Sequence, residues 1–210
     1  MRITELRKKI GSMEIYVRDL SVARGSIHGL VGPNGCGKTT LLKMIMGITR
    51  PDSGTIDLQG LRPTDITMTS QRPYLMRASV YDNIVYPLKI RGIRIDQKEI
   101  DDLLEQAGLS HQKTQYAGSL SSGERQKMSF LRAIVFHPSP ILIDETLSNL
   151  DPESEALFRE MILDRRRQEG TSWLIVSHQW DRMNSIFDDI HFMEKGKIVN
   201  KDGKQEETAE

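Results

Sequence analysis

Short apolar runs alternate with longer stretches whose apolar residues recur every three or four positions. That is the pattern of an α/β domain built on a largely parallel sheet. Residues 26–31 read as a short buried strand that runs into a glycine-rich turn, and residues 39–46 continue as an apolar helix. Turn residues bracket 51–60, predicting an edge strand or hairpin over 55–58. From about 78 to 137 the pattern is mainly helical, with helices expected over 96–106 and 122–135. Buried strands follow at 141–143 and 173–176, separated by a charged helix over 153–167. The last ten residues lack apolar anchors and read as a frayed tail. The reading is one domain over 1–210, an α/β core split by a helical insert at about 72–135.

Composition narrows the class without naming it. The 210 residues carry 29 basic and 29 acidic side chains, so no overall positive charge favours nucleic acid, and no nucleic-acid partner is expected. The longest apolar-leaning stretch, 133–143, is broken by Pro138 and Pro140 and falls short of the ~20 residues that span a bilayer. The N-terminus has no basic-then-apolar leader pattern. Cys36 is the single cysteine, which excludes an internal disulfide and suits a reducing compartment. The expected location is cytoplasmic.

Gly32, Pro33, Asn34, Gly35, Cys36, Gly37, Lys38 and Thr39 fit the phosphate-loop pattern G-x-x-x-x-G-K-[ST] in full, between a strand and a helix. Glycines let successive backbone N–H groups turn inward onto phosphate oxygens, and the helix start adds the positive end of its dipole. Lys38 reaches the β- and γ-phosphates, the Thr39 hydroxyl is placed for Mg²⁺, and Thr40 follows as a further nucleotide contact. Cys36 fills a variable position in the loop. Residues 141–145, Ile-Leu-Ile-Asp-Glu, form an apolar run ending in two acids. At a strand's C-terminal end Asp144 can face the magnesium, while Glu145 can orient or deprotonate an attacking water.

A nucleotide kinase, a GTPase or a recombinase could share those two motifs. Leu120-Ser121-Ser122-Gly123-Glu124 decides among them, because it resembles the L-S-G-G-Q signature of the ATP-binding-cassette (ABC) ATPases. Gln71 resembles that family's Q-loop glutamine, and Ser148-Asn149-Leu150-Asp151 is similar to its D-loop. Val176-Ser177-His178 resembles the strand end carrying its switch histidine. The resemblance covers nearly the whole chain and implies a phosphate-loop NTPase fold: a mainly parallel core sheet, a small antiparallel β part and an inserted helical subdomain. It implies ATP and Mg²⁺ as cofactors, with Thr39, Asp144 and Gln71 at the metal. Lys38, Glu145, His178 and Gln71 are the implied catalytic set. It further implies a head-to-tail dimer in which Ser121, Ser122, Gly123 and Asp151 serve the partner's nucleotide.

Ser122 and Glu124 depart from the signature's glycine and glutamine, and Thr146 replaces the usual proline or alanine. Ile10 stands where the family places an adenine-stacking aromatic, and Tyr16 lies on the wrong side of Gly11. The short interval between Gly60 and Gln71 predicts a trimmed antiparallel part. After Gln71, the Tyr- and Met-containing stretch to Leu88 has the composition of a groove for a partner helix. By resemblance this is where a membrane permease subunit docks, placing the chain at the inner face of the membrane as a transporter's ATPase. The segment 71–92 looks like that of tungstate and related oxyanion uptake ATPases. A soluble cassette ATPase of DNA repair, chromosome structure or the ribosome is the alternative. Such relatives carry coiled coils, zinc sites or a second cassette, none of which this sequence shows.

Overall fold

The computed structural model describes residues 1–70, 73–146, 151–177 and 184–199. Its strands join one sheet in the order β4-β1-β2-β9-β8-β3-β7-β6-β5. The strands are β1 Arg2–Ile10, β2 Met13–Ser21, β3 Ile27–Val31, β4 Ser53–Asp57, β5 Thr67–Ser70, β6 Ile141–Asp144, β7 Trp173–Ser177, β8 Asp189–Glu194 and β9 Lys197–Val199. From β8 to β5 every pairing is parallel, whereas β4, β1 and β2 pair antiparallel. Strands β3, β6 and β7 are buried along their whole length, because helices cover both faces of a parallel sheet.

The antiparallel part does not draw on the interval between Gly60 and Gln71. It is assembled from β1, β2 and β4, before Gly60, so the short stretch from Gly60 onward never had to supply it. What that stretch holds is one 3₁₀ turn, Pro63–Asp65, and the edge strand β5.

The helices are α1 Lys38–Ile45, α2 Val80–Arg91, α3 Gln97–Gln106, α4 Ser122–Ile134 and α5 Pro152–Glu169. Their ends follow local chemistry. Ser79, Asp96, Ser121 and Asp151 each accept a backbone N–H as N-caps, and Gly92 and Gly170 close α2 and α5 in the left-handed conformation. Three helices, α2 to α4, lie between β5 and β6. Their apolar stripes, such as Ile100, Leu103 and Leu104 on α3, join one core cluster with Ile27, Ile143, Trp173 and Ile175 from one face of the sheet. Phe130 of α4 stacks on Phe158 of α5, ring centres 4.4 Å apart, and lies 6.2 Å from Trp173. The helix that opens with the signature is therefore anchored directly to the sheet. The opposite face packs Leu30, Leu142, Leu174 and Val176 against Leu41, Leu42 and Ile45 of α1.

Candidate functional site

The parallel register brings four strand ends into line. Ser70 pairs with Asp144, Asp144 with Val176, and Val31 with Ser177. This carboxyl edge is where open α/β sheets bind ligands. The phosphate loop leaves β3 here. Gly35 and Gly37 have φ of 77° and 114°, a backbone that side-chain-bearing residues rarely adopt. Gly32 is needed for space, since a Cβ there would lie 2.0 Å from the Met193 carbonyl oxygen on β8. Helix α1 starts with no side-chain cap and no acid in its first turn, which leaves its N–H groups and dipole to an anion.

Lys38 is buried in the loop, and its ammonium donates to the Gly32 and Pro33 carbonyls at 2.7 and 2.9 Å. Cys36 is also buried, its Sγ 3.8 Å from Lys38 Nζ, so it packs inside the loop. The Thr39 hydroxyl donates to Asp144 Oδ1 at 2.9 Å, tying the start of α1 to the end of β6. Burial pushes the Asp144 carboxyl above its usual range. The Thr39 hydrogen bond and the Lys38 and Lys43 charges oppose that shift, while Glu145 adds to it. A hydroxyl and a carboxylate oxygen side by side are the hard donors that magnesium takes, so the residues present fit that ion. Glu145 has φ of 54°, a conformation costly for a residue with a Cβ.

The signature lies on a different element. Ser121 caps α4, and Ser122 and Gly123 form its first turn. Among the described residues no hydrogen bond joins this helix start to the phosphate loop of the same chain. Glu124 completes a capping box: its Oε2 accepts the Ser121 N–H at 2.8 Å and the Ser121 O–H at 2.7 Å. Those bonds, the hydroxyl's first, hold its carboxyl below the usual range. Asp151 caps α5 by accepting from the Ser154 N–H and hydroxyl at 2.8 and 2.7 Å. Gln71, His178 and residues 148–150 lie outside the described residues; the strands they follow end at Ser70, Ser177 and Asp144.

Residues 17–148 match the family model described as ABC transporter. The chain belongs to the ABC transporter family. It is 35% identical to the tungstate uptake system ATP-binding protein TupC of Peptoclostridium acidaminophilum, over 96% of this chain and 97% of that one. It is 34% identical to the Fe(3+) ions import ATP-binding protein FbpC of Pasteurella multocida, over 87% of this chain and 55% of that longer protein. A solved ATP-binding subunit of an ABC transporter superposes with a TM-score of 0.85 at 21% identity, over 94% of this chain and 87% of that one, a likeness of fold. The chain is thus an ATP-binding, ATP-hydrolysing ABC subunit. Among the described residues no helix is long and apolar enough to cross a membrane.

Two features of this cassette ATPase escape sequence reasoning. Thr146 is wholly buried and its hydroxyl shares a 2.7 Å hydrogen bond with that of Thr69 on β5, so the departure from proline or alanine links two strand ends beside the carboxylates. The β8–β9 turn presses on the phosphate loop: the Gly196 N–H donates to the Cys36 carbonyl at 2.9 Å, and Tyr16 N–H donates to Gly196 at 2.7 Å. The Glu194-Lys195-Gly196-Lys197 turn was a readable signal, but nothing in it pointed to the loop. Ile10 ends β1 and is 41% exposed. The Tyr16 ring is engaged elsewhere, with the Arg7 guanidinium 4.0 Å from its centre and its hydroxyl donating to Glu5 at 2.9 Å.

Proposed function

We propose that this ATPase is the motor of an uptake system, with tungstate or a related oxyanion as cargo. Support for the cargo is the likeness to a tungstate uptake ATPase along nearly the full length of both chains. Support for the chemistry is the contact between Thr39 and Asp144. In this reading Lys38 and the loop N–H groups from Gly32 to Thr40 hold the phosphates, and Thr39, Asp144 and Gln71 hold Mg²⁺. When bound there, the ion would supply positive charge to offset that of the phosphates. Glu145 positions the water for in-line attack and His178 steadies the γ-phosphate, so catalysis rests on positioning and charge. Ser121, Ser122 and Gly123 of one subunit, with Asp151, face the nucleotide of the other. Glu145 directly follows Asp144 in the chain, and its left-handed φ of 54° sets the backbone from which this carboxylate would act.

The permease subunit docks on the insert, over about 72–135, at the inner face of the membrane. A cleft of about 400 Å³ lies there between β5, α2 and α4, lined by Met76, Tyr86, Arg132 and Phe136 among others. Tyr74 at its rim is 80% exposed. Buried Asn83 fixes the wall, accepting the Met76 N–H at 2.9 Å and donating to the Met76 and Ser79 carbonyls. About half of the apolar residues between Tyr74 and Leu88 pack inward, including Val80, Ile84, Val85 and Leu88, and Tyr81 packs on the same core, which leaves Tyr74 and Tyr86 for a partner. A Tyr74→Asp, Tyr86→Asp double variant tests this: it should keep the hydrolysis rate of the isolated subunit and lose co-purification with the permease. Retained co-purification would place the docking surface elsewhere.

A further inference from the structure

The parallel pairing of β3 with β8 sets His28 opposite Asp189 and Leu30 opposite His191. Alternate residues of a strand share a face. His28, Asp189 and His191 therefore converge on one face, at the entry end of β3, away from the phosphate loop. His28 Nδ1 lies 2.9 Å from His191 Nε2 and 4.0 Å from Asp189 Oδ2, and His191 Nε2 lies 3.6 Å from the same oxygen. His28 is buried, His191 nearly so, and Asp189 is open to solvent.

Hydrogen bonding fixes how His28 presents itself. The Ser26 hydroxyl donates its one hydrogen to the Ala23 carbonyl at 2.7 Å, so at 2.8 Å it must accept from His28 Nε2. Nε2 of neutral His28 carries the hydrogen, and the Nδ1 lone pair faces His191 Nε2, with Asp189 Oδ2 to one side at 4.0 Å. An imidazole whose far N–H is held by an outer acceptor is the usual arrangement of a metal-bound histidine. Asp189 Oδ1 accepts from the Ile190 N–H at 2.8 Å, and Oδ2 is the oxygen turned toward the rings.

We propose that His28, His191 and Asp189 form a binding site for a divalent transition-metal ion of the zinc class, separate from the magnesium–nucleotide site. The point equidistant from the three donor atoms lies about 2.1 Å from each, the length of a zinc–imidazole or zinc–carboxylate bond. Two imidazoles with one carboxylate select zinc, nickel or copper over magnesium or calcium. The rings lie 3° from parallel with centres 5.2 Å apart, so they meet nitrogen to nitrogen within one plane. The metal takes the place of the hydrogen between them. That hydrogen moves to His191 Nδ1, and both rings swing toward Asp189, whose open side admits water as a further ligand. The ion would clamp β3, which feeds the phosphate loop at Gly32, to β8, whose Met193 carbonyl backs that glycine.

The test is titration of the tag-free, metal-stripped, nucleotide-free chain with Co²⁺, followed by visible absorption, and with Zn²⁺ against a chromophoric chelator. One equivalent should bind with the visible bands of nitrogen- and oxygen-ligated cobalt. His191→Gln and the exposed Asp189→Asn should each weaken binding at least tenfold. Ser26→Ala, which removes only the outer acceptor, should weaken it about tenfold. Asp144→Asn, and His137→Gln at a histidine that pairs with Glu99 and Glu169 instead, should leave it unchanged. Absence of binding, or equal affinity in His191→Gln, Asp189→Asn and the parent chain, would overturn the assignment.

Discussion

Thr39 and Asp144 are 105 residues apart in the chain and 2.9 Å apart in space. The contact joins the first turn of the helix after the phosphate loop to the end of buried strand β6, two places from β3 in the sheet. It sets side by side a hydroxyl and a carboxylate, the two oxygen donors that the proposed magnesium site would use.

Thr39→Val should separate these roles. The variant keeps the shape of the side chain and leaves buried Asp144 without its donor. Hydrolysis should fall about tenfold to a hundredfold, equivalent to the ~1.5–3 kcal/mol of a hydrogen bond to a charged group. Thr39→Ser should restore most of it. A steady-state ATPase assay over a Mg²⁺ series makes the comparison, and an unchanged rate in Thr39→Val would remove Thr39 from the metal site.

Much of this site was legible because its chemistry is local in sequence. The phosphate loop, the run ending in Asp144-Glu145 and the signature are contiguous strings whose spacing and flanking elements carry their meaning. The strands β6 and β7 showed themselves as unbroken apolar runs, and β3 as a short run interrupted by His28, because both faces are buried. Strands β1 and β2 did not. Their polar faces are exposed, and in β1 Glu5 takes φ of 50° at a register shift between Thr4 and Arg7. That bulge puts Ile3 and Leu6 on the same buried side although they are three residues apart, which destroys the alternation a strand should show. Contacts such as Thr69 with Thr146, or His28 with His191, depend on strand register and have no signature along the chain.

Glu124→Gln should increase ATP turnover at low nucleotide. The Glu124 carboxylate is ionised and sits at the helix start proposed to face the partner subunit's γ-phosphate, holding the Ser121 hydroxyl's hydrogen. Glutamine keeps an acceptor for the cap and removes the negative charge. The apparent KM for ATP should drop about two- to fivefold at low salt, from ~0.5–1 kcal/mol of relieved repulsion at an exposed site, and the difference should shrink as salt rises. A raised KM would contradict a phosphate at that helix start.

Asp151→Ala should lower the melting temperature by roughly 2–4 °C through loss of the α5 cap. The Ser154 N–H, then its hydroxyl, depress the Asp151 pKa in the folded state. The cap's full contribution is thus present above the unfolded carboxylate value and is lost as pH falls through the lower folded value. The gap between parent and Asp151→Ala should be constant near neutrality and close below about pH 4. Asp151→Asn, an equally good cap, should track the parent at neutral pH. A gap that widens in acid would exclude this cap as its source.

Ile10→Tyr should tighten ATP binding. Ile10 is 41% exposed at the end of β1, so a larger side chain there extends into solvent. Stacking an aromatic face on the base adds ~1–3 kcal/mol where it occurs. Fluorescent-nucleotide titration should therefore show at least fivefold higher affinity for ATP, and unchanged affinity would mean that another side chain already covers the base.

The measurement that bears most directly on the whole account is Mg²⁺-dependent ATP hydrolysis by the purified chain over a protein concentration series, beside Glu145→Gln. Two phosphate loops completed by each other's signature require activity that rises faster than protein concentration. Glu145 as the water-positioning carboxylate requires that the variant bind ATP, lose turnover and accumulate as a dimer on a sizing column. Activity strictly proportional to concentration, with Glu145→Gln turning over at the parental rate, would contradict both the paired site and the role of Glu145.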